Sequence, residues 1–238
     1  ANSTVGMMEK RYLESGAAAT QYGFGEKFFT KAETEQITDF MADPNVSARE
    51  KLEFISKIDQ GTNGNSNVAF TQMNKKGVPL FAAAGDLVNE GRPGVALNVL
   101  KGQQAYNEGT LEIDSKEVSE GIAEEFGNSF FYAGQGDAAK AKAAVQGLYS
   151  YYVSKGDEKS IDVIMDEVLG KKGTFNNQVF YSPTGVDSDD VVDFFEDLEP
   201  ENMIPILGVP PLQSANAINR SKPLHVGKGK YRFIFQGR

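Results

Sequence analysis

The sequence predicts a mostly α-helical protein, a bundle of short antiparallel helices paired as αα-hairpins, with a short irregular or β tail at the C-terminal end. Three observations predict this class. Apolar residues recur at spacings of three and four over most of the chain, which is the period of one helix face. Capping sequences mark several helix starts. Short loops join the predicted helices, and short loops favour antiparallel neighbours.

The first helices are predicted from the way they begin. Thr30 and Glu33 fit a capping box, in which the hydroxyl and the carboxylate each satisfy a free backbone N–H, and Ser47 and Glu50 fit a second one. The helix after Ser47 carries an apolar stripe at a spacing of three, formed by Leu52, Ile55 and Ile58. After a polar loop, a further helix is expected from about Asn67 to Lys75.

Residues 77–109 predict two antiparallel helices joined by a tight turn. Apolar helix patterns lie on both sides of Gly91, Arg92 and Pro93. Glycine just beyond a helix end accepts the left-handed backbone conformation, and proline suits the first turn of the next helix because its missing N–H is not needed there. The segment is therefore predicted to be an αα-hairpin.

The remaining elements follow from composition and from start and stop signals. One helix opens at Asp114, other helices cover Ala138–Val153, Ser160–Leu169 and Ser188–Leu198, and short strands cover Val179–Tyr181 and Lys230–Phe235. Gly170 stands where a glycine ends a helix, and Asp187 stands where an aspartate caps one.

The chain is predicted to divide into a helical domain, residues 1–198, and a Pro/Gly-rich basic tail, residues 199–238. The prolines of the tail rule out long helices there. If the helical domain divides further, the boundary is expected near 61–66 or 110–114, where polar residues separate apolar patterns.

The chain has 238 residues and a net charge of −9, which is unevenly distributed. From residue 201 onward the tail carries +5, so residues 1–200 carry −14. An acidic body repels nucleic acid over most of its surface. Lys228, Lys230 and Arg232 are the candidates for a weak contact of the tail with nucleic acid or an acidic protein, the alternative being that the tail docks on its own acidic body.

Composition excludes several kinds of site. Without cysteine the chain has no disulfide, thiolate nucleophile or cysteine zinc site. The single histidine, His225, lies in the tail, which disfavours a Ser-His-Asp triad. No apolar run approaches the roughly 20 residues that span a bilayer, so no membrane span is expected. Phosphate-binding glycine motifs are missing, and no cofactor is expected.

One pair of motifs favours an enzyme. Glu14 followed by Ser15 resembles the general-acid pair of lytic transglycosylases, and Tyr106 and Asn107 after an alanine resemble their sugar-holding Ala-Tyr-Asn. A single carboxylic acid of raised pKa in a cleft can protonate a glycosidic oxygen. The passages that line the cleft of that family are missing between the two motifs, so a degenerate lytic transglycosylase is the alternative to a non-enzymatic role.

Two acidic segments resemble metal sites in part. The segment that begins at Asp59 resembles a calcium loop, but its twelfth position, which should be a bidentate glutamate, is Phe70. Asp187, Asp189 and Asp190 form a weak candidate for a divalent metal. A helix N-terminus favours carboxylates without any ion, so a solvated helix start is the prediction there.

Tyr151 is the predicted contact with another chain. Tyr149 and Tyr152 are three residues apart and share a helix face with Val145. Tyr151 is expected to face elsewhere, and tyrosine is well suited to protein interfaces because it is apolar with one polar end.

Several passages, taken in their order, resemble the internal virion (ejection) and tape-measure-like proteins of tailed bacteriophages. The most specific is G-x-P-x-x-A-x-x-V-L-x-G-Q, which begins at Gly91. The others are Tyr151-Tyr152-Val153 after an Ala-rich helix, the turns at 169–173 and 181–186 with the acidic helix that follows, and a G-x-Y-R-F strand at Gly229. The resemblance covers about residues 77–238.

The resemblance implies a non-enzymatic structural or ejection role in the phage particle. The partners would be other copies of the chain and other virion proteins, and the chain would pass through the host cytoplasm during assembly. Any cell-wall-cleaving domain would lie elsewhere in the parent protein. A helical adaptor whose groove binds a peptide is the second alternative.

Overall fold

The structure is a computed structural model that describes residues 4–22, 28–64, 66–70, 78–109, 111, 113, 115–126, 135–175, 178–182, 187–196, 222–225 and 231–234. The chain is mostly helical, as predicted. In order, the elements are α1 Thr4–Tyr22, α2 Lys31–Ala42, α3 Ala48–Gly61, α4 Asn67–Phe70, α5 Val78–Asn89, α6 Pro93–Asn107, α7 Ser115–Phe126, α8 Gln135–Ser154, α9 Ile161–Leu169, β1 Lys172–Phe175, β2 Gln178–Tyr181, α10 Ser188–Glu196, β3 Lys222–His225 and β4 Tyr231–Ile234.

Both predicted capping boxes are present. The Glu33 amide donates to Thr30 Oγ1 at 3.3 Å, and Glu33 Oε2 accepts from the Thr30 amide at 2.9 Å. Ser47 and Glu50 repeat this geometry at the start of α3, again with distances of 3.3 and 2.9 Å. Each box satisfies two backbone donors that the first helical turn leaves without a partner.

The predicted hairpin is formed by α5 and α6. Gly91 has a φ of +77°, so it occupies the left-handed region. Its amide donates to Val88 O at 3.0 Å, and the Arg92 amide donates to Leu87 O at 2.8 Å, which together form a Schellman motif. Pro93 occupies the first turn of α6. The hairpin therefore closes as the glycine and the proline predict.

The closest packing in the core joins α6 to α8. A side chain at Gly102 would overlap the carbonyl oxygen of Gly147 and would lie 2.5 Å from the Tyr151 amide nitrogen. A side chain at Gly147 would lie 2.8 Å from Val99 O. Because neither residue carries a Cβ, the two helix backbones touch, and Val99, Leu100 and Leu148 are buried around the crossing.

The helices α6 and α8 run parallel. Gly102 meets Gly147 and Tyr151, and residues nearer the C-terminal ends of both helices line one groove. Short loops predict antiparallel packing for helices that follow one another in the chain. The hairpin of α5 and α6 agrees with this expectation, whereas α6 and α8 are not consecutive, because α7 lies between them in the sequence.

The first helices pack onto the same core. The helix α1 lies against α3, where Gly61 is next to Met8, and α3 contacts both α5 and α6. Most of the buried apolar residues that the structure describes form one cluster, which extends from Met8 in α1 to Tyr181 in β2. The proposed division of the helical domain near 61–66 or 110–114 stays a prediction.

The strands form two antiparallel hairpins, β1 with β2 and β3 with β4. The predicted strands over Val179–Tyr181 and Lys230–Phe235 correspond to β2 and β4, whereas β1 and β3 were missed. In β1, Gly173 lies opposite Phe180, and a side chain at Gly173 would meet the Phe180 ring at 2.5 Å. Of the predicted Asn67–Lys75 helix, the part after Phe70 lies outside the described residues.

None of the helices that the structure describes is long and apolar enough to cross a lipid bilayer.

The backbone contact of α6 with α8 makes a prediction about two glycines of the same helix. Replacing Gly102 with alanine should lower the free energy of unfolding by about 1–3 kcal/mol, since the new methyl group forces the helices apart. Gly94→Ala is the matched control, because nothing lies within 4 Å of a Cβ there, and alanine should leave stability unchanged or raise it by up to about 1 kcal/mol. Urea unfolding measures both values. Equal effects of the two substitutions would contradict the close crossing.

Candidate interaction site

A shallow groove lies where α6 and α8 end, and it contains Tyr151, the predicted contact residue. Its volume is about 230 Å³, below the roughly 300–1,000 Å³ usual for sites that enclose a small molecule. The lining residues are Lys101, Gln104, Ala105, Glu108, Tyr151, Ser154 and Lys155. A groove of this size is too small to enclose a drug-sized molecule.

The position of Tyr151 follows from the helix crossing. Its amide lies next to Gly102, so the backbone contact fixes where its side chain leaves α8. The half-buried ring packs edge-to-face on Tyr152 at 5.5 Å between centroids, and Lys155 Nζ lies 5.9 Å from the ring centroid. Tyr151 therefore presents a supported aromatic surface to the groove.

The neighbouring Tyr152 is held by contacts with α9 and with the loop before it. Its hydroxyl donates to the Glu167 carboxylate, with distances of 2.6 and 2.7 Å to the two oxygens. Lys159 Nζ bonds Glu167 Oε2 at 3.2 Å and lies 3.8 Å from the centroid of the Tyr152 ring. Burial raises the pKa of Tyr152, and the hydrogen bond to Glu167 raises it further. The two adjacent tyrosines thus have different roles, Tyr152 in joining α8 to α9 and Tyr151 at the groove.

The groove presents cationic groups with no acidic partner. Gln104 Nε2 donates to Glu108 Oε1 at 3.3 Å, so the one carboxylate of the groove is engaged by an amide. In the part of the chain that the structure describes, neither Lys101 nor Lys155 takes part in an ion pair. Both lysines are exposed. The groove therefore combines an aromatic ring with two ammonium groups and one carboxylate.

A partly buried charged cluster lies at the opposite end of the hairpin. Arg92 Nη1 pairs with Glu90 Oε2 at 3.2 Å and donates to Val168 O at 2.9 Å. The Arg92 side chain is only 9% exposed. By binding a carbonyl in the last turn of α9, the guanidinium ties the α5–α6 turn to α9. This contact across 76 residues was not predicted from the sequence.

Of the candidate catalytic residues, Glu14 lies on a different helix from Tyr106 and Asn107. Glu14 lies on α1 with its side chain 65% exposed and 3.7 Å from Lys10 Nζ. Tyr106 and Asn107 end α6, where Asn107 Oδ1 accepts a hydrogen bond from Gln103 Nε2 at 2.8 Å. Because α1 packs on α3, the described contacts do not bring these three residues together.

The acidic candidates lie at the start of α10. Asp187 Oδ1 accepts a hydrogen bond from the Asp189 amide at 3.1 Å, and Asp187, Asp189 and Asp190 are all exposed. Across the described residues, no group of three or more His, Cys, Asp or Glu side chains is arranged to hold a metal ion. In the calcium-like segment, Phe70 is fully buried.

Of the three basic candidates in the tail, the structure describes only the backbone of Arg232. Lys228 and Lys230 lie outside the described residues, and Arg232 lies in β4 opposite Leu224. The contact of the tail with nucleic acid or an acidic protein stays a prediction.

Comparison with protein-family models, with curated proteins and with solved structures found no match to this chain.

The contact of Tyr151 with another chain stays a prediction. The residues that line the groove with it were not predicted, although their spacing carries a signal. On α6, Lys101, Gln104, Ala105 and Glu108 follow the i, i+3, i+4, i+7 pattern of one helix face. On α8, Tyr151, Ser154 and Lys155 follow i, i+3, i+4. The spacing does not show that these two helix faces lie next to each other, because their contact depends on the parallel packing of α6 and α8.

The charged cluster predicts that the free energy of unfolding depends on pH through the titration of Glu90. Burial raises the pKa of Glu90 above its ordinary 4.5, and this effect outweighs the attraction of Arg92. In the window from pH 4.5 up to the raised pKa, the folded state binds more protons than the unfolded state, so the contribution of Glu90 to stability falls as pH rises. The free energy of unfolding of the wild type minus that of Glu90→Gln should therefore decrease from pH 4 to pH 7.

Urea unfolding at several pH values measures this difference, and the exposed Glu124→Gln is the control. A difference that grows with pH would show that attraction by Arg92 dominates, and would contradict the prediction.

Proposed function

We propose that the chain is a non-enzymatic structural or ejection component of a tailed-bacteriophage virion that acts through contacts with copies of itself and with other virion proteins. Its place would be the phage particle, after passage through the host cytoplasm during assembly. The groove around Tyr151 is the proposed contact surface.

The observation that carries this proposal is what the phage-like motif does in the fold. Gly91 and Pro93 form the turn of the hairpin, Ala96, Val99 and Leu100 are buried, and Gly102 makes the backbone contact with α8. Nearly every defined position of the motif therefore serves helix packing. A motif whose residues serve helix packing supports a structural role for the fold more than a role that needs a reaction cleft.

The first test asks whether the chain is a particle component. Peptide mass spectrometry of purified particles, from the phage or prophage that encodes the chain, should find it in stoichiometric amounts. Its presence in infected cells combined with its absence from washed particles would contradict the proposal.

The second test addresses self-contact through Tyr151. In light scattering coupled to gel filtration, the wild type should form oligomers, and Tyr151→Ser should shift them toward the monomer. Tyr151→Phe, which keeps the ring, should behave as the wild type, and thermal unfolding checks that each variant is folded. A monomeric wild type that captures one host protein would favour the peptide-binding adaptor instead.

The enzymatic alternative has its own test. The chain incubated with purified peptidoglycan should release no anhydro-muropeptides, because Glu14 is exposed on α1 and paired with Lys10. Glu14→Gln is the control variant. Products released by the wild type and lost in the variant would overturn the non-enzymatic proposal.

A further inference from the structure

We infer that copies of this chain associate head to tail, with the acidic face of α10 from one copy bound in the groove around Tyr151 of the next. The inference rests on the proposed function, since it names the partner of the contact surface proposed there. Charge complementarity and the places of the groove and of α10 in the fold support this pairing.

The acidic face of α10 is a line of carboxylates. Asp189, Asp193 and Glu196 follow an i, i+4, i+7 spacing and therefore share one side of the helix. All three are exposed, whereas Ser188 and Val191 on the other side are buried. Over the described part of the chain, no lysine or arginine forms an ion pair with them.

The groove offers the complementary charge. Lys101 and Lys155 flank Tyr151, and neither has a carboxylate partner in the described structure. On a chain with a net charge of −9, the groove has two lysines against the single carboxylate of Glu108. Opposite charges arranged in this way steer association and fix its register.

The two surfaces belong to different parts of the fold. The groove is formed where α6 and α8 end. The helix α10 packs on β1, which follows α9. Pairing between two different surfaces of successive copies builds rings if the rotation closes and filaments if it does not.

Charge reversal tests the pairing. In sedimentation velocity at low ionic strength, Lys101→Glu/Lys155→Glu and, separately, Asp193→Lys/Glu196→Lys should each weaken self-association at least about tenfold, which corresponds to 1.4 kcal/mol. An equimolar mixture of the two variants should recover it, because each groove then meets an α10 of opposite charge. Wild-type association should also weaken as salt is added.

Lys57→Glu/Lys142→Glu is the matched control, since both lysines are exposed and lie outside the groove. This control should associate as the wild type does, and circular dichroism verifies the fold of every variant. If the wild type forms oligomers and neither charge reversal weakens them, the pairing of α10 with the groove is wrong, while the proposed structural role still stands. A monomeric wild type that binds an acidic protein through Lys101 and Lys155 would assign the groove to another partner and would also overturn it.

Discussion

The direct contact between the backbones of α6 and α8 is the constraint on which the rest of the structure depends. It exists because Gly102 and Gly147 both lack a side chain at the point where the helices cross. Each helix glycine costs about 0.5–1 kcal/mol relative to alanine, so this arrangement is stable only because the close approach buries Val99, Leu100 and Leu148 around it. The antiparallel α5 then covers both helices and completes the centre of the core.

The same contact gives the molecule two different ends. Where α6 and α8 end together, their exposed faces form the groove around Tyr151. Where α6 begins, the turn after α5 is held to α9 by Arg92, and the chain continues into β1 and the acidic α10. The groove and the exposed carboxylates of α10 thus belong to different parts of the fold. In the proposed role, two different and complementary surfaces allow identical copies to associate in one direction.

The sequence predicted the elements that local chemistry determines. Thr30 and Ser47 with their paired glutamates marked two helix starts, and Gly91 with Pro93 marked the hairpin turn, because each of these signals acts within a few residues. Signals of this short range cannot predict the parallel pairing of α6 with α8. Gly102 and Gly147 stand inside helical patterns 45 positions apart in the sequence, and only their meeting in space shows why glycine is needed. For the same reason, the sequence indicates Tyr151 as a contact residue but does not place it beside Lys101 or Lys155 in a groove.

If the backbone contact holds the fold together, the crossing of α6 and α8 is the most stable part of the molecule. Native-state hydrogen exchange measures this, because amides that exchange only on global unfolding identify the last region to open. We expect the slowest amides around Val99, Gly102 and Leu148, with exchange free energies equal to the global free energy of unfolding. If those amides exchange faster than the amides of α3, the glycine contact is not what holds the fold together.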